Sequence, residues 1–178
     1  MMELGREGYD RIALEAKKLD MLWTASAWDA PALRFLLEYD PPFIKIPSAC
    51  LTDEALVFAA MASGKPVIMS TGMSTLAEID HAVETCRRDT LVLLHCTSAY
   101  PCQPAELNLF AIPMLRERYR VPVGFSDHSV GVWASVCAVV LGATILEKHF
   151  TSDRSLPGSD QSASVEPEGM ARICNYVR

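Results

Sequence analysis

The chain has 178 residues, of which 50% are hydrophobic and 21% are charged. This composition is typical of a globular domain with one sizeable hydrophobic core. The net charge of -6 argues against general nucleic-acid binding, which requires a basic surface, and against an anionic membrane as partner. No apolar run approaches the ~18 residues of a membrane span, and the N-terminus shows no secretory signal pattern.

The six cysteines are scattered, mostly inside apolar segments, and no two of them form a CxxC pair. Free thiols in this arrangement are typical of a reducing compartment. We therefore expect a cytoplasmic protein without disulfide bonds.

A helical pattern over Tyr9 to Leu19 opens the chain, and short apolar runs then alternate with further helical patterns. Six such runs begin at Met21, Phe43, Pro66, Leu91, Val121 and Thr144. Regular alternation of strand and helix predicts βα units and a parallel sheet.

Capping signals predict where several of the helices begin and end. Thr52 is a candidate N-cap for a helix that stops at Gly64, and Thr75 with Glu78 has the spacing of a capping box. Pro167 fits the first position of the last helix. The helix in "GVWASVCAVVLG" is apolar almost all round, which predicts that it is well buried.

Two architectures fit this alternation, an open doubly wound sheet and a closed (β/α)8 barrel. Chemistry in an open sheet gathers at one switch point, whereas every barrel strand offers a residue at its C-terminal end. Nearly every run here ends in polar residues, which favours the barrel. A barrel needs eight strands, so we predict an incomplete domain over residues 1–178 whose six parallel strands correspond to strands three to eight.

Two histidines follow consecutive predicted strands, His128 in "GFSDHS" and His149 in "ILEKHF". A single histidine at a strand end is more often a hydrogen-bonded core residue. Neighbouring parallel strands lie ~4.8 Å apart, so the ends of two strands bring both imidazoles within reach of one metal ion. Imidazole suits manganese, iron and zinc, and two protein ligands leave room for water and substrate. His81 and His95 are interpreted as structural.

Lys45 lies inside the apolar run "FIKIPS", where a lysine requires a partner. It either forms a salt bridge, for example with Glu147, or provides a cation for a bound anion, or acts as a Schiff-base amine. Hydroxyl side chains at the other strand ends favour the anion. Each hydroxyl alone is a common helix cap, but together with Lys45 they predict a phosphate-binding cradle. These hydroxyl residues are Ser26, Ser48, Ser70, Thr71 and Ser126.

Two polar loops complete the predicted site, "HCTSAYPCQP" with Tyr100 and "TSDRSLPGSDQSAS" with Asp160. Turn formation accounts for their glycine and proline residues. Loops at this end of a barrel also carry its substrate contacts.

The motifs "KIPS", "MSTGMST", "LLHCTSAYP", "GFSDHSVG", "GATILEKHFT" and "PGSDQSAS" occur in the order found in the sialic acid synthase family, and essentially the whole chain resembles that family. The resemblance implies condensation of phosphoenolpyruvate with N-acetylmannosamine, or a related N-acetylated amino sugar, to a nonulosonic acid and phosphate. It also implies a divalent metal, typically manganese, an antifreeze-like C-terminal domain and a homodimeric full-length protein.

The resemblance also implies a role for each matched residue. His128 and His149 match metal ligands. Tyr100 and Asp160 match sugar contacts, and Ser98 stands where many members have Asn or Ser near the substrate. The residues that match phosphoenolpyruvate contacts are Ser26, Lys45, Ser48, Ser70 and Ser126.

Departures from the family pattern leave alternatives open. Cys50 replaces an acidic residue two places after the serine of "KIPS", so the amino sugar is not fixed. Strands one and two of the barrel, the substrate contacts they carry and the C-terminal domain have no counterpart in the chain. A Schiff-base aldolase that uses Lys45, or a noncatalytic barrel remnant, are the competing hypotheses.

Overall fold

A computed structural model describes residues 4–178. The strands are β1 (Ile44–Ile46), β2 (Val67–Ser70), β3 (Leu91–Cys96), β4 (Val123–Asp127) and β5 (Leu146–Lys148). The helices are α1 (Arg6–Lys18), α2 (Ala30–Leu37), α3 (Glu54–Ala62), α4 (Leu76–Glu84), α5 (Ala111–Tyr119), α6 (Trp133–Val140) and α7 (Pro167–Val177).

The strands form one parallel sheet in the order β1-β2-β3-β4-β5, so each strand pairs with its neighbours along the chain. A helix, α3, α4, α5 or α6, connects each pair of consecutive strands. This sequential α/β arrangement is a half-barrel, as expected for part of a (β/α)8 barrel. All strand C-termini consequently point to one end of the sheet.

The prediction of six strands is wrong for the first apolar run, because residues 4–178 contain five strands. The segment from Met21 to Ser26 forms only an isolated parallel bridge, between Ser26 and Lys45. Met21 and Leu22 are 62% and 78% exposed, so this segment buries little apolar surface. It also borders the described sheet on one side alone, beside β1.

The core lies between the sheet and helices α2 to α6. Ile44, Met69, Leu93 and Val123 are fully buried in four neighbouring strands, as expected where a parallel sheet is covered by helices. Gly124 permits the close approach of β4 and β5, since a Cβ at this position would lie 2.5 Å from the Ile145 carbonyl oxygen.

The capping predictions are largely confirmed. Thr75 and Glu78 form the complete capping box of α4, and Pro167 is the first residue of α7. The N-cap of α3 is Asp53 instead of Thr52, because the Asp53 carboxylate accepts the Leu56 N–H at 3.0 Å.

The prediction that the helix in "GVWASVCAVVLG" is well buried is wrong. Helix α6 buries its small residues Ala134, Ser135 and Ala138, whereas Trp133 and Val140 are 69% and 83% exposed. Small side chains allow the helix to approach the sheet closely, and the large apolar side chains therefore lie on its outer face. None of the helices in residues 4–178 is both long and apolar enough to cross a lipid bilayer.

Candidate active site

A cavity of about 640 Å³ opens at the C-terminal ends of the strands. The ends of β1 to β5 and the loops that follow them form its walls, and every predicted site residue except Thr71 lines it. Those residues are Ser26, Lys45, Ser48, Ser70, Ser98, Tyr100, Ser126, His128, His149 and Asp160. Parallel alignment of the strands therefore brings together side chains that are far apart in sequence.

Lys45 lies on the wall of this cavity with a side chain that is 8% exposed. Its ammonium group donates to the Ser70 hydroxyl at 2.9 Å and to the Ile46 carbonyl at 3.2 Å. Glu147 Oε2 lies 3.6 Å away, so the ion pair considered from the sequence is present. A buried cation of this kind is well suited to hold an anion that enters the cavity.

Glu147 lines the cavity, although the sequence indicates it only as a salt-bridge partner of Lys45. It accepts a hydrogen bond from the Ser126 hydroxyl at 2.7 Å while it faces Lys45, so it bridges two predicted anion-binding groups. The sequence contained the information needed to find it. Successive strand residues alternate between faces, so Glu147, two residues before His149, lies on the same face as His149.

Gly72 lies directly beside Ser48, Cys96 and Ser98, three residues that line the cavity. The Gly72 N–H donates to Ser48 Oγ at 3.1 Å, and Ser48 Oγ in turn lies 3.5 Å from Cys96 Sγ. A Cβ at Gly72 would lie 2.4 Å from Ser98 Oγ and 2.8 Å from Ser48 Oγ. The space for these two hydroxyls therefore depends on the missing side chain.

Thr71 is the predicted residue that the structure separates from the others. Its hydroxyl donates to the Leu94 carbonyl at 3.0 Å, which ties β2 to β3. Cys50 also stands apart, since its buried thiol lies 3.8 Å from the Trp28 carbonyl. Burial raises the pKa of the Cys50 thiol, which keeps it neutral.

His128 is buried, and a hydrogen bond at Nδ1 holds its ring. Nδ1 lies 2.8 Å from the Thr97 carbonyl oxygen, which requires Nδ1 to carry the proton and donate. Nε2, 3.4 Å from Ser126 Oγ, is then left with its lone pair. Burial lowers the pKa of His128, but the Cys96 thiol and the Thr97 carbonyl outweigh it, and the net shift is upward.

His149 faces His128 across the cavity, with ring centroids 5.2 Å apart and the planes nearly perpendicular. His149 Nδ1 lies 3.6 Å from Asp160 Oδ2. Burial, followed by the charge of His128, lowers the pKa of His149 and favours the neutral imidazole.

Tyr100 closes this side of the cavity. Its ring centroid lies 4.1 Å from that of His128 and 5.5 Å from that of His149. Burial, together with Cys96, Asp160 and Glu147 nearby, raises the pKa of Tyr100 to about 12. Tyr100 is therefore a neutral hydroxyl at physiological pH, able to donate to a polar ligand.

The donor set at His128 and His149 fits a divalent metal ion. The Thr97 carbonyl fixes one imidazole tautomer, and Asp160 stands beside the other imidazole, as is usual for histidine ligands. Within residues 4–178 no three His, Cys, Asp or Glu side chains form a metal-binding cluster. A metal held here would take two protein ligands and leave its other positions to water and substrate.

His95 and His81 lie outside the cavity, in keeping with their structural interpretation. His95 Nε2 lies 2.8 Å from the Leu107 carbonyl oxygen, and the ring stacks on Phe125. His81 pairs with Glu54 on the surface at 2.8 Å.

The fold and the cavity define an α/β half-barrel whose strand ends carry a polar site suited to an anion. The sequence model of the NeuB family matches residues 1–178, and the chain belongs to this family. The resemblance to sialic acid synthases seen in the sequence motifs is thereby confirmed.

Individual relatives agree with this assignment. The chain is 35% identical over 182 residues to N,N'-diacetyllegionaminic acid synthase of Campylobacter jejuni, with 99% of this chain and 54% of the relative covered. It is 39% identical over 180 residues to N-acetylneuraminate-9-phosphate synthase of Drosophila melanogaster, with 99% and 48% covered. The chain thus spans about half the length of the curated relatives it matches.

A solved structure has the same fold throughout the chain. The N-acetylneuraminic acid (sialic acid) synthetase from Leptospira borgpetersenii serovar Hardjo-bovis, in complex with citrate, superposes with a TM-score of 0.95 at 36% identity. The match covers 98% of this chain and 62% of that one.

Proposed function

We propose that the protein is a C–C bond-forming synthase. It condenses phosphoenolpyruvate with N-acetylmannosamine or a related N-acetylated amino sugar, and it yields a sialic acid-type nonulosonic acid and phosphate. The observation that carries this proposal is the cavity that joins a buried ammonium, several hydroxyls and two facing imidazoles. The names of the relatives, synthases of sialic and legionaminic acids, support the same chemistry.

Phosphoenolpyruvate is assigned to the side of the cavity formed by Lys45, Ser70 and Ser126. The Lys45 ammonium and the two hydroxyls donate to its phosphate and carboxylate oxygens, which fixes the orientation of the substrate. Glu147 already accepts from Ser126 and faces Lys45, so the incoming anion takes over these donors. Ser26 and Ser48, at the edges of the same wall, provide further hydroxyls.

His128 and His149 are assigned as ligands of a divalent metal, for which Mn²⁺ is our choice. The metal, when bound, supplies Lewis acidity that polarises the aldehyde of the open-chain sugar. The Thr97 carbonyl keeps Nε2 of His128 free for this purpose, and Asp160 orients His149.

The proposed reaction forms one C–C bond and releases inorganic phosphate. The enol carbon C3 of phosphoenolpyruvate attacks the sugar aldehyde carbon, and a proton completes the new hydroxyl group. Water adds to C2, and the tetrahedral intermediate expels inorganic phosphate as the ketone forms. Lys45 and the hydroxyls stabilise the negative charge on phosphate and carboxylate throughout.

The amino sugar is assigned to the side of Tyr100, Asp160 and Ser98. The neutral Tyr100 hydroxyl donates a hydrogen bond to the sugar, and the Asp160 carboxylate accepts one from it. The Ser98 hydroxyl can do either. Cys50 does not line the cavity, so it provides no ligand group for the sugar. We propose that the full-length protein acts as a homodimer.

A coupled assay tests the proposal. The protein is incubated with phosphoenolpyruvate, Mn²⁺ and either N-acetylmannosamine or a diacetylated amino sugar, and phosphate and 2-keto acid are both measured. Equal release of both products that requires the sugar is expected. Phosphate release that is independent of the sugar would contradict the proposal.

The Schiff-base alternative is tested with the same protein. Lys45 is a buried amine on the cavity wall, which is the position a Schiff-base lysine would take. Borohydride in the presence of pyruvate traps a Schiff base as a mass increase on Lys45. The synthase proposal predicts no trapped adduct, and a trapped adduct would favour an aldolase.

A further inference from the structure

A buried ion pair lies directly behind the two imidazoles of the cavity. Asp127 precedes His128 on β4, and Lys148 precedes His149 on β5. The two residues are partners in the strand register, and Lys148 Nζ lies 3.2 Å from Asp127 Oδ2. Their side chains are 3% and 0% exposed for Lys148 and Asp127 respectively.

Asp127 is the centre of a network in which each carboxylate oxygen is occupied. Oδ1 accepts the Ser129 N–H at 2.8 Å and the Ser129 hydroxyl at 2.7 Å. Oδ2 accepts the Ser135 hydroxyl of α6 at 2.6 Å in addition to facing Lys148. Lys148 also donates to the Ser129 carbonyl. The residues on both sides of His128 are therefore tied to the residue before His149.

The backbone of each histidine is fixed as well. The His128 carbonyl accepts the Cys102 N–H at 2.9 Å, and the His149 carbonyl accepts the Val165 N–H at 2.9 Å. Because strand residues alternate between faces, the pairs Ser126–Glu147 and Asp127–Lys148 lie on opposite faces. The first pair belongs to the proposed anion site, whereas the second joins the two strands through buried side chains, and of its two members Lys148 also borders the cavity.

A buried ion pair is by itself weak evidence for stability, since its desolvation offsets most of the attraction between the charges. Its position between two consecutive strand ends suggests a geometric role. The pair joins the side chain of the residue before His128 to that of the residue before His149, and Lys148 also reaches the backbone carbonyl of Ser129, the residue after His128.

We propose that the Asp127–Lys148 pair is a positioning device that sets the distance and orientation of the His128 and His149 rings. Both residues act through the histidines: Asp127 lies outside the cavity lining, and the Lys148 ammonium, although Lys148 borders the cavity, is engaged by Asp127 and the Ser129 carbonyl. The proposal rests on the proposed function only for the identity of the ion that the two rings hold.

Two variants test it, Lys148→Met and the double variant Asp127→Asn with Lys148→Met. The double variant leaves no unpaired buried charge, so it keeps the test valid where the single variant fails to fold. Ile112→Val is the matched control, because Ile112 is fully buried in α5 and lies outside the network. It lowers stability without moving either ring.

Two readouts separate positioning from general stability. The first is Mn²⁺ affinity measured from the EPR signal of the free ion, for which the network variants are expected to lose about 10- to 100-fold. The second is the set of NOEs between the His128 and His149 ring protons, expected in the wild type from the 5.2 Å centroid distance and lost in the variants. The Ile112→Val control is expected to keep the wild-type Mn²⁺ affinity and the wild-type ring NOEs.

The measurements distinguish failure of the positioning role from failure of the proposed metal site. Folded network variants that keep wild-type Mn²⁺ affinity and wild-type ring NOEs would overturn the proposal. A wild-type protein that binds no Mn²⁺ would contradict the metal in the proposed function, and the ring NOEs would then decide the positioning role alone.

Discussion

Replacing Gly72 with alanine tests whether the cavity wall formed by Ser48, Cys96 and Ser98 supports the activity. The added Cβ would lie 2.4 Å from Ser98 Oγ, 2.8 Å from Ser48 Oγ and 3.0 Å from Cys96 Sγ. An ordinary contact of this type needs about 3.4 Å, so the Ser98 hydroxyl must move by about 1 Å. The Ser48 hydroxyl, which accepts the Gly72 N–H, must also move.

The expected effect on activity exceeds the effect on stability. Overpacking by one methyl group costs roughly 1–3 kcal/mol, which corresponds to a fall in Tm of about 2–12 °C for a chain of this size. A displacement of about 1 Å in groups that orient a substrate costs on the order of 100-fold in kcat/KM. The variant should therefore fold and be nearly inactive.

The assay measures kcat/KM from phosphate release and Tm from thermal unfolding. Gly8→Ala is the matched control, because Gly8 lies in α1, and a Cβ there would meet only the flexible Leu4 side chain. This control should keep wild-type activity. A Gly72→Ala protein with activity within threefold of wild type would refute the assignment of the Ser48, Cys96 and Ser98 wall to the active site.

Substitutions at Lys45, His128 and Asp80 test three individual contacts. Lys45→Met removes the buried ammonium and should raise the KM for phosphoenolpyruvate by roughly 10- to 150-fold, the equivalent of one charged hydrogen bond; an unchanged KM in steady-state kinetics would contradict its role. His128→Ala should abolish Mn²⁺-dependent turnover, and retained dependence on Mn²⁺ would refute the ligand assignment. Hydrogen bonds from Arg118 and Tyr119 lower the pKa of Asp80 below 3.8, so its stabilising effect is complete above about pH 4 and is lost as the pH falls through the folded-state pKa. The Tm difference between wild type and Asp80→Asn should therefore shrink below pH 4, whereas a constant difference between pH 2 and 6 would contradict this reasoning.

Most of the fold was predictable from local patterns. Strands β1 to β5 coincide with apolar runs bounded by polar residues, and the capping box at Thr75 is where its spacing placed it. The run at Met21 had the same pattern but lacks burial, because its outer side has no neighbour among the described residues. Tertiary environment, which a local pattern does not contain, decides whether such a run becomes a strand.

The composition of the site was predictable, but its contacts were not. Polar residues at parallel strand ends must converge, which brought Lys45, His128 and His149 to one cavity. The direction of each hydroxyl depends on its nearest partner, so Thr71 bonds to the Leu94 carbonyl although it sits between Ser70 and Gly72. The role of Lys148 likewise depends on its register with Asp127, which is set by the pairing of two strands.

In the proposed reaction, C3 of phosphoenolpyruvate is joined to the aldehyde carbon of an amino sugar. NMR with phosphoenolpyruvate carrying ¹³C at C3 tests it directly in the presence of N-acetylmannosamine or a diacetylated amino sugar and Mn²⁺. We expect the vinyl carbon signal to be replaced by the methylene signal of a 2-keto acid, and only when the sugar is present. A labelled methyl signal of pyruvate, or an unchanged vinyl signal with every amino sugar, would contradict it.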